Sequence, residues 1–426
     1  MLGLGILIPP AASGAGWFFP KNRGTRQAEI QIAATDSGRS SWFGKLSYER
    51  RVKSNKLDSP CQPQYVLLGG YERGGLAGDH PGILFHKGNG HPATRARTRG
   101  LGNRGIVMVM AISEKKLIQQ IRRLARGGEP VVTGIGDDCA VLRVPPGHDL
   151  LVTTDFSIEK VHFRRDWHRP ELAGRRCLTR GLSDIAAMGG EPLAVFLSLA
   201  LPSDIPQKWV DSFLKGLLEL AEEFKVPLAG GDTAQSASGI QADIVVVGSA
   251  PKGKAVLRSG AKPGERIYVT GELGGAAAAL ARLLEAKPVG AEYNRYFRPE
   301  ARVAVGQWLR QRGAASAMID VSDGLSTDLE HICQESHVGA EIEAEAVPRA
   351  QVGTGKKRVA LELALHGGDD YELLFTSAQA VPAEVAGVRV TPIGRTTRSA
   401  GMRLIAPDGK WQPIEAGGWE HFGGNL

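Results

Sequence analysis

The chain has 426 residues, of which 42% are hydrophobic and 23% are charged, a composition typical of a folded protein with a sizeable core and two or three domains. Across the sequence no apolar run approaches the roughly 20 residues that a membrane-spanning helix needs, so we expect no membrane partner. The formal net charge of +7 is concentrated in residues 1–107, and the rest of the chain is slightly acidic. The sequence therefore does not predict a nucleic-acid partner.

The first quarter of the chain differs from the rest in its residue composition and in its lack of periodic hydrophobic patterns. Residues 1–107 are interrupted by Gly, Pro, Arg and Ser and show no sustained helical or strand period. We expect this segment to be disordered, or to result from a start codon assigned too early, because Met108 and Met110 stand just before the first clear helix pattern.

The cysteines predict a reducing compartment. They are widely spaced and form no CxxC pair, which favours free thiols in a cytoplasmic protein over a disulfide framework or a zinc site. The four residues are Cys61, Cys139, Cys177 and Cys333.

Helix and strand patterns alternate from Ser113 onward. Ser113 is placed to cap an amphipathic helix that carries Leu117, Ile118, Ile121 and Leu124 on one face. The next predicted elements are a short buried strand at 149–155, a helix closed by glycines at 171–190, a strand at 193–202, an amphipathic helix at 206–225 and a strand at 240–250. The apolar stripe of the helix at 206–225 predicts core packing and not a cofactor site.

A segment rich in Pro, Gly and Lys at 251–265 predicts a linker between two halves of the chain. Strand and helix patterns alternate again beyond it. They include a strand at RIYVTG (266–271), an Ala-rich helix at 274–286, a helix around 299–312, a helix from Ser326, a strand-like AEIEAE (340–345) and the segment HGGDDYELLFT (366–376). Each half is therefore predicted to be an α/β domain.

Carboxylates recur at predicted loop positions that follow apolar strands or lie beside glycines. They are Asp137, Asp138, Asp155, Asp184, Asp232, Asp320, Asp323, Asp369 and Asp370. Carboxylates gathered without cationic partners would raise the pKa of one another and cost stability. Mg²⁺ relieves that cost, because it takes oxygen ligands, keeps several waters and is commonly held by a few carboxylates together with substrate phosphates. The set predicts a site for magnesium and phosphate.

Each of these motifs alone is more typical of a turn than of a ligand site. The segment DVSDGLSTDLE (320–330) could simply begin a helix, where Asp is favoured by capping and by the helix dipole. The joint occurrence of six motifs favours the metal–phosphate interpretation. The pattern GxxxxGK[ST] occurs nowhere in the sequence, so a nucleotide site would rely on metals and on backbone near glycines such as Gly231, and not on a P-loop lysine.

Seven segments, taken in order, resemble the thiamine-monophosphate kinase family. They are GIGDDCAVL (134–142), TTDFSIEKVHF (153–163), LSDIAAMGGEPL (182–193), GGDT (230–233), LRSGAKPGERIYVTG (257–271), DVSDGLSTDL (320–329) and GGDDYELLFT (367–376). The resemblance extends over about 111–422 and includes GGWEHF at 417–422. It implies a two-domain α/β (α+β) fold like that of aminoimidazole ribonucleotide synthetase. An N-terminal ATP- and metal-binding domain at 111–250 would dimerise through its sheet, and a C-terminal α/β domain would occupy 258–422.

The resemblance also implies an activity and a set of site residues. The expected reaction is a direct, Mg²⁺-assisted in-line transfer of phosphate from ATP to thiamine monophosphate, the final step of thiamine diphosphate biosynthesis, with no acid–base or nucleophilic side chain. Carried over by motif, the metal ligands would be Asp138, Thr153, Thr154, Asp155, Asp184, Asp232, Asp320 and Asp323. Gly231, Asp232, Arg258 and Ser322 would contact ATP, and His162, Asp369 and Trp419 would contact thiamine monophosphate.

Two positions depart from the family pattern. Asp369 stands where Glu is common, and Trp419 stands where Tyr or Phe is common. Both substitutions are conservative in chemistry, and they bear on the dimensions of the pocket. His162 could instead be a surface or capping histidine, and Trp419 a packing residue. Asp137 could serve only to shape its loop, and Asp370 and Glu372 could be structural.

Two other functions stay open at this stage. The chain could act on another small acceptor, as selenophosphate synthetase and the hydrogenase maturation factor HypE do, or it could be a nucleotide-binding dimer without catalysis. Intact aspartates in every motif argue against loss of catalysis. Cys139 follows the paired aspartates and is predicted to be a buried small residue, not the reactive cysteine of a selenophosphate synthetase.

Overall fold

A computed structural model describes residues 113–125, 127–353, 355 and 357–421 of the chain. The prediction for residues 1–107, disorder or a misassigned start, lies outside these residues. Within the described part, no helix combines the length and the apolar character needed to cross a membrane.

The N-terminal half of the described residues is built on a four-stranded sheet. Its order is β3-β6-β4-β5, with β4 and β5 parallel and the other pairs antiparallel. A short hairpin of β1 and β2 precedes it. The elements are α1 Glu114–Leu124, β1 Val131–Thr133, β2 Val141–Leu142, β3 His148–Ile158, α2 Pro170–Ala187, β4 Glu191–Leu201, α3 Gln207–Glu223, β5 Leu228–Gln235 and β6 Gln241–Pro251.

Helices α2 and α3 pack closely through reciprocal glycines. A Cβ added at Gly174 would collide with the carbonyl oxygen of Phe213, and one at Gly216 would collide with that of Glu171. The apolar stripe of α3 is buried at Phe213, Leu217 and Leu220, and Trp209 and Phe224 pack against the same core. This confirms that the stripe belongs to the core.

Two local predictions in this half need correction. Strand β3 is not a short buried strand: it is 11 residues long and alternates, so Leu150 is 49% exposed and Val152 is 59% exposed. Ser113 occupies the position before α1 but makes no side-chain capping hydrogen bond. On that helix Leu117 is buried, whereas Ile118 lies mostly outside the core with 41% exposure.

The C-terminal half is built on a larger mixed sheet of order β16-β15-β9-β14-β7-β12-β8. Its first elements are β7 Arg266–Thr270, α4 Gly275–Leu284, α5 Asn294–Phe297, α6 Val303–Arg312, β8 Ala317–Val321, α7 Leu325–Ser336 and β9 Gly339–Glu343. The later ones are β10 Gln351–Val352, β11 Lys357–Arg358, α8 Leu361–His366, β12 Glu372–Ser377, β13 Glu384–Val385, β14 Val388–Thr397, β15 Met402–Ile405 and β16 Trp411–Ile414. Strand β14, in the interior of the sheet, and strands β15 and β16 were not predicted from the sequence.

Helix α2 is the element that joins the two halves. A Cβ on Gly306 of α6 would collide with the carbonyl oxygen of Ala186, so α6 packs against the end of α2 at backbone distance. One apolar core contains α2 residues such as Leu178 together with Met318 of β8 and Phe375 of β12. Because this core spans both halves, the side chains of α2 meet the edge strand β8 and its neighbour β12 at a fixed place.

Candidate active site at the junction of the two halves

Helix α2 carries a polar stripe at this junction. Arg176, Arg180 and Asp184 are spaced four residues apart and therefore share one face of the helix. With a rise of 1.5 Å per residue, the stripe extends over about 12 Å. It connects two groups of side chains, one around Asp184 and one around Asp369.

Three predicted metal ligands from three elements come together around Asp184. The Thr153 hydroxyl on β3 donates a short hydrogen bond to the Asp184 carboxylate. The neighbouring Ser183 donates to Asp320 on β8 at 2.6 Å. Burial, followed by the charge of Asp320, raises the pKa of Asp184 to about 6. Burial also raises the pKa of Asp320, and Asp155 adds to the rise.

Asp155, on the same strand as Thr153, is held by Arg180. Nε and Nη2 of Arg180 donate to Asp155 Oδ1 at 2.9 and 2.6 Å. Burial nevertheless keeps the pKa of Asp155 above its usual range, since the charge of Arg180 offsets only part of the desolvation. Arg258 is exposed, and its charge opposes the rise in the pKa of both Asp184 and Asp320. The carboxylates around Asp184 thus lie close together, and the nearby arginines balance only part of their negative charge.

Asp369 marks the other end of the stripe. Its Oδ2 lies 2.5 Å from Nη2 of Arg176, and its Oδ1 accepts a hydrogen bond from the Tyr371 hydroxyl at 2.8 Å. Burial acts to raise the pKa of Asp369, but the Arg176 and Arg180 guanidinium groups and the Tyr371 hydroxyl hold it below its usual range. The lowered pKa keeps Asp369 ionised, and its side chain is 29% exposed, so a ligand can reach it.

The loop after β8 is shaped by a carboxylate that sequence reasoning did not assign to the site. Asp328 on α7 accepts hydrogen bonds from the backbone N–H groups of Ser322, Asp323 and Gly324 at 3.0 to 3.2 Å. The chain turns sharply here, and Gly324 adopts φ = 125°. Asp328 therefore fixes the loop that carries two predicted site residues, Ser322 and Asp323.

The C-terminal segment brings Trp419 to the same loop. The Trp419 amide donates to the Asp323 carbonyl oxygen at 3.0 Å, and its side chain is 41% exposed. Gly418 must be a glycine here, because a Cβ would collide with that carbonyl oxygen. The ring of His421 lies 5.7 Å from the Trp419 ring and 5.4 Å from the His162 ring, measured between centroids.

His162 is a half-buried neutral histidine and not a surface one. Its Nδ1 accepts the Ile158 amide hydrogen at 3.0 Å, which leaves the proton on Nε2. Burial, followed by the positive charge of Arg180, lowers the pKa of His162 to about 3. A neutral imidazole with one N–H donor suits contact with a cationic or hydrogen-bonding ligand.

A second group of predicted residues lines a cavity of about 620 Å³ in the N-terminal half. The cavity lies between the loop at 134–140, helix α1 and the strands β4 and β5, and it includes Asp138, Gly231 and Asp232. Gly231 has φ = 147° and passes so close to the Leu197 backbone that a Cβ would collide with it. Asp137 accepts the Asp138 amide hydrogen at 2.9 Å, a contact that shapes the loop. Cys139 is exposed at this cavity, so the prediction that it is buried is wrong.

The structure does not bring all predicted ligands together. Asp138 and Asp232 line the cavity of the N-terminal half, and none of the residues Thr153, Asp155, Asp184 and Asp320 lines it. The Thr154 side chain lies on the opposite face of β3 from Thr153, because neighbouring strand residues alternate. In the part of the chain that the structure describes, no three His, Cys, Asp or Glu side chains form a preassembled cation site. Asp232 and Asp320, predicted at loop positions, lie in the strands β5 and β8 instead. Asp155 in β3 and Asp184 in α2 lie within the strand and the helix predicted for 149–155 and 171–190.

Asp370 and Glu372 have structural partners. Asp370 accepts the Gly274 amide hydrogen at 2.6 Å, at the start of α4. Glu372 is fully buried and accepts hydrogen bonds from Arg302 at 2.7 Å to each oxygen and from Thr270 at 2.6 Å. These contacts support the structural interpretation of both residues.

Five residues that contact the predicted site were not assigned to it from the sequence: Arg176, Arg180, Asp328, Tyr371 and His421. The spacing of Arg176, Arg180 and Asp184 by four was the one available signal for two of them. Tyr371 and His421 contact Arg180 and His162, which are distant in sequence, so only packing reveals these two. Asp328 bonds residues four to six positions before it, within the DVSDGLSTDLE segment, and its role was missed although its partners are local.

Comparison with known protein families identifies the class. Residues 136–250 match the model described as AIR synthase related protein, N-terminal domain, and residues 262–405 match the corresponding C-terminal domain. The chain is thus a two-domain protein of the AIR synthase related class, which confirms the α/β two-domain fold expected from the sequence.

Individual relatives narrow the family. The Escherichia coli K12 protein named thiamine-monophosphate kinase is 38% identical over 74% of this chain and 99% of its own length. A solved structure of thiamine-monophosphate kinase from Stenotrophomonas maltophilia is 34% identical, covers 71% of this chain and 98% of its own, and has a TM-score of 0.62. A structure described as AaThiL complexed with AMPPCP and TMP is 32% identical, covers 72% of this chain and 96% of its own, and has a TM-score of 0.58. The chain belongs to the thiamine-monophosphate kinase family.

Proposed function

We propose that this chain transfers the terminal phosphate of ATP to thiamine monophosphate and releases thiamine diphosphate and ADP. The observation that carries the proposal is the meeting of Asp155, Asp184 and Asp320 from both halves of the chain at one junction, beside an arginine-held Asp369. A relative at 32% identity binds an ATP analogue and TMP, which is the same pair of ligand classes.

The residues at the junction fit Mg²⁺. The donor atoms are carboxylate and hydroxyl oxygens, which are the ligands that Mg²⁺ takes. The pKa of Asp184, raised to about 6, reports negative charge that a cation would stabilise. Asp184, Asp320, Asp155 and Thr153 are the residues that would hold it, with Asp323 nearby. Bound Mg²⁺ would supply the positive charge that lets two anionic phosphate groups approach each other.

The reaction needs little acid–base chemistry from the chain. The acceptor is a phosphate monoester and already presents an anionic oxygen as nucleophile. The roles of this chain are to bind, orient and exclude water, as in other phosphoryl transfers. We infer direct in-line transfer without a covalent phosphoenzyme.

The thiamine moiety is proposed to bind near Asp369, His162 and Trp419. Asp369 offers an ionised carboxylate, which suits a cationic or amino-bearing ring. His162 offers a neutral Nε2–H donor, and the exposed Trp419 ring offers a surface for stacking.

ATP is proposed to bind at the cavity of the N-terminal half and at the loop after β8. Gly231 and Asp232 line the cavity with Asp138, while Ser322 and Arg258 lie on the C-terminal side. The domain limits 111–250 and 258–422 stay predictions, as does a cytoplasmic location, which rests on the spacing of the cysteines.

A single assay tests the activity. Purified protein is incubated with Mg²⁺, thiamine monophosphate and ATP labelled at the γ-phosphate, and label is followed into thiamine diphosphate and into protein. We expect labelled thiamine diphosphate, ADP in equal amount, and no label on the protein when the acceptor is omitted. ADP formed only with another phosphate or small acceptor would contradict the proposed substrate, and acid-stable label on the protein would contradict direct transfer.

We also propose that the chain forms a homodimer through the N-terminal sheet. Helices α2 and α3 cover one face of this sheet. On the other face β3 presents Leu150, Val152 and Phe156, which are 49%, 59% and 56% exposed. Neighbouring exposed apolar side chains of this kind mark an association surface.

Replacing Phe156 with glutamate is expected to convert the dimer to a monomer, because it places a charge in the apolar face. Sedimentation velocity measures the change. Leu284→Glu is the matched control, since Leu284 is 67% exposed on α4 and should leave the dimer intact. A wild-type protein that sediments as a monomer, or two variants that behave alike, would refute the assignment of this surface.

A further inference from the structure

Arg180 is the side chain through which α2 bonds both halves of the chain at once. It is 14% exposed. Nε and Nη2 donate to Asp155 on β3, while Nη1 donates to the Tyr371 hydroxyl at 3.0 Å, just before β12. A single guanidinium group thus links a strand of the N-terminal half to the GGDDYEL segment of the C-terminal half. Arginine suits this position because its planar fork directs donors along separate directions, which lysine does not.

Tyr371 carries this link on to Asp369. Its hydroxyl accepts from Arg180 and donates to Asp369 Oδ1 at 2.8 Å. The same oxygen lies 3.9 Å from Nη1 of Arg180, and Arg176 holds the other oxygen. Both oxygens of Asp369 therefore have a defined position, and one of them depends on Arg180 through Tyr371.

The backbone of this segment is held in an unfavourable conformation. Asp369 has φ = 67° and Tyr371 has φ = 52°, in the left-handed region that side-chain-bearing residues rarely adopt. Their amides donate to the carbonyl oxygens of Ser322 and Val321, each at 2.8 Å. Such conformations persist only where surrounding contacts hold them. The bonds from Arg176 and Arg180 are among those contacts.

We propose that Arg180 is a positioning residue for phosphoryl transfer: through Tyr371 it holds Asp369 at a fixed distance from Asp155. The inference rests on the proposed function, in which Asp369 contacts thiamine monophosphate and Asp155 helps to hold the metal. Arg180 then sets how the acceptor phosphate lines up with ATP. A misplacement of about 1 Å between reacting groups can lower the rate about 100-fold. We therefore expect a loss of kcat of this size when Arg180 is replaced.

The kinetic test uses Arg180→Gln, Arg180→Lys, Tyr371→Phe and the double variant Arg180→Gln/Tyr371→Phe. We expect kcat to fall about 100-fold in Arg180→Gln and Arg180→Lys and about 10-fold in Tyr371→Phe. The double variant should be no slower than Arg180→Gln, because both substitutions break the same chain of contacts. Arg175→Gln is the control, since Arg175 lies on α2 but bonds Glu223 of α3. A kcat near that of the wild type in folded Arg180→Gln, or losses that multiply in the double variant, would overturn the proposal.

Amide hydrogen exchange provides a readout that needs no substrate. The amides of Asp369 and Tyr371 should exchange faster in Arg180→Gln and Tyr371→Phe than in wild type, with no change in Arg175→Gln. Unchanged exchange in all variants would overturn the positioning role. A wild-type protein that makes no thiamine diphosphate would count against the proposed function alone, because the exchange result stands without it.

Discussion

Replacing Asp184 with alanine or asparagine is expected to abolish thiamine diphosphate formation while leaving the protein folded. A carboxylate that holds a catalytic metal contributes several kcal/mol to transition-state stabilisation, so the rate should fall by about 1000-fold or more. The steady-state rate at saturating Mg²⁺ and ATP measures the loss. Residual activity close to wild type under these conditions would show that Asp184 is not a metal ligand.

Stability should move in the opposite direction to activity in the asparagine variant. The pKa of Asp184 is raised to about 6 by burial and by Asp320, so its charged form is destabilising in the fold above that pH. Removing the charge should raise the melting temperature at pH 7.5 when divalent cations are removed with EDTA. Asp204→Asn, on an exposed turn after β4, should change neither quantity. A clear fall in the melting temperature of Asp184→Asn would contradict this account.

Replacing Glu372 with alanine is expected to lower the free energy of unfolding by about 3–5 kcal/mol, the usual cost of breaking a buried ion pair by removing one partner. Glu372 is fully buried, and its removal leaves Arg302, itself 8% exposed, without its main counter-charge. Urea unfolding at pH 7 measures the loss. Glu300→Ala is the matched control, because Glu300 bonds the same arginine but is 63% exposed, so it should cost less than about 1 kcal/mol. Equal losses in the two variants would contradict the structural role of Glu372.

The same pair predicts a pH dependence. Burial acts to raise the pKa of Glu372, but Arg302, Arg295 and Thr270 hold it below its usual range. In the unfolded chain the pKa of a glutamate is about 4.3, and in the folded protein the pKa of Glu372 is lower. The Glu372 carboxylate therefore stabilises the fold above about pH 4.3, and this contribution is lost as the pH falls through the folded-state pKa. The difference in stability between wild type and Glu372→Ala should therefore narrow below pH 4. A difference that stays constant down to pH 3 would refute this linkage.

Most of the elements could be predicted because their signals are local. Periodicity and helix-end residues within about ten to twenty positions predict these elements. Examples are the apolar stripe of α3 with Phe213, the strand that ends at Thr270 and the helix α2, which is followed by glycines. Strand β14 was missed although it lies inside the larger sheet, since its pairing with β7 and β9 joins residues far apart in sequence. The exposure of Val152 was also missed, because the residue type alone does not tell whether an apolar strand residue faces a core or the surface.

The residues of the candidate site also divide into those predicted from the sequence and those found only in the structure. Asp184, Asp320 and Asp369 were predicted from motifs and from the family resemblance, and the structure places them along one junction. Arg180 was missed. Its spacing of four from Asp184 indicated a shared helix face, but its partners Asp155 and Tyr371 lie 25 and 191 positions away and could not be identified from the sequence. Thr154 was predicted alongside Thr153, yet alternation along β3 sends its side chain to the other face.

The sequence alone determined the two-domain family. It also predicted a chemistry that uses many carboxylates and few acid–base groups, and it named most of the candidate ligands. Those properties depend on residue types and short spacings, which the chain carries before it folds. Only the tertiary structure decided which carboxylates meet, that Asp369 is held by Arg176 and Tyr371, and that Glu372 is a buried structural partner of Arg302. The Arg176–Asp369 and Arg302–Glu372 pairs join residues that are far apart in sequence, so only packing brings them together. Tyr371 lies two residues from Asp369, but its contact depends on the left-handed backbone of this segment, which the sequence does not reveal.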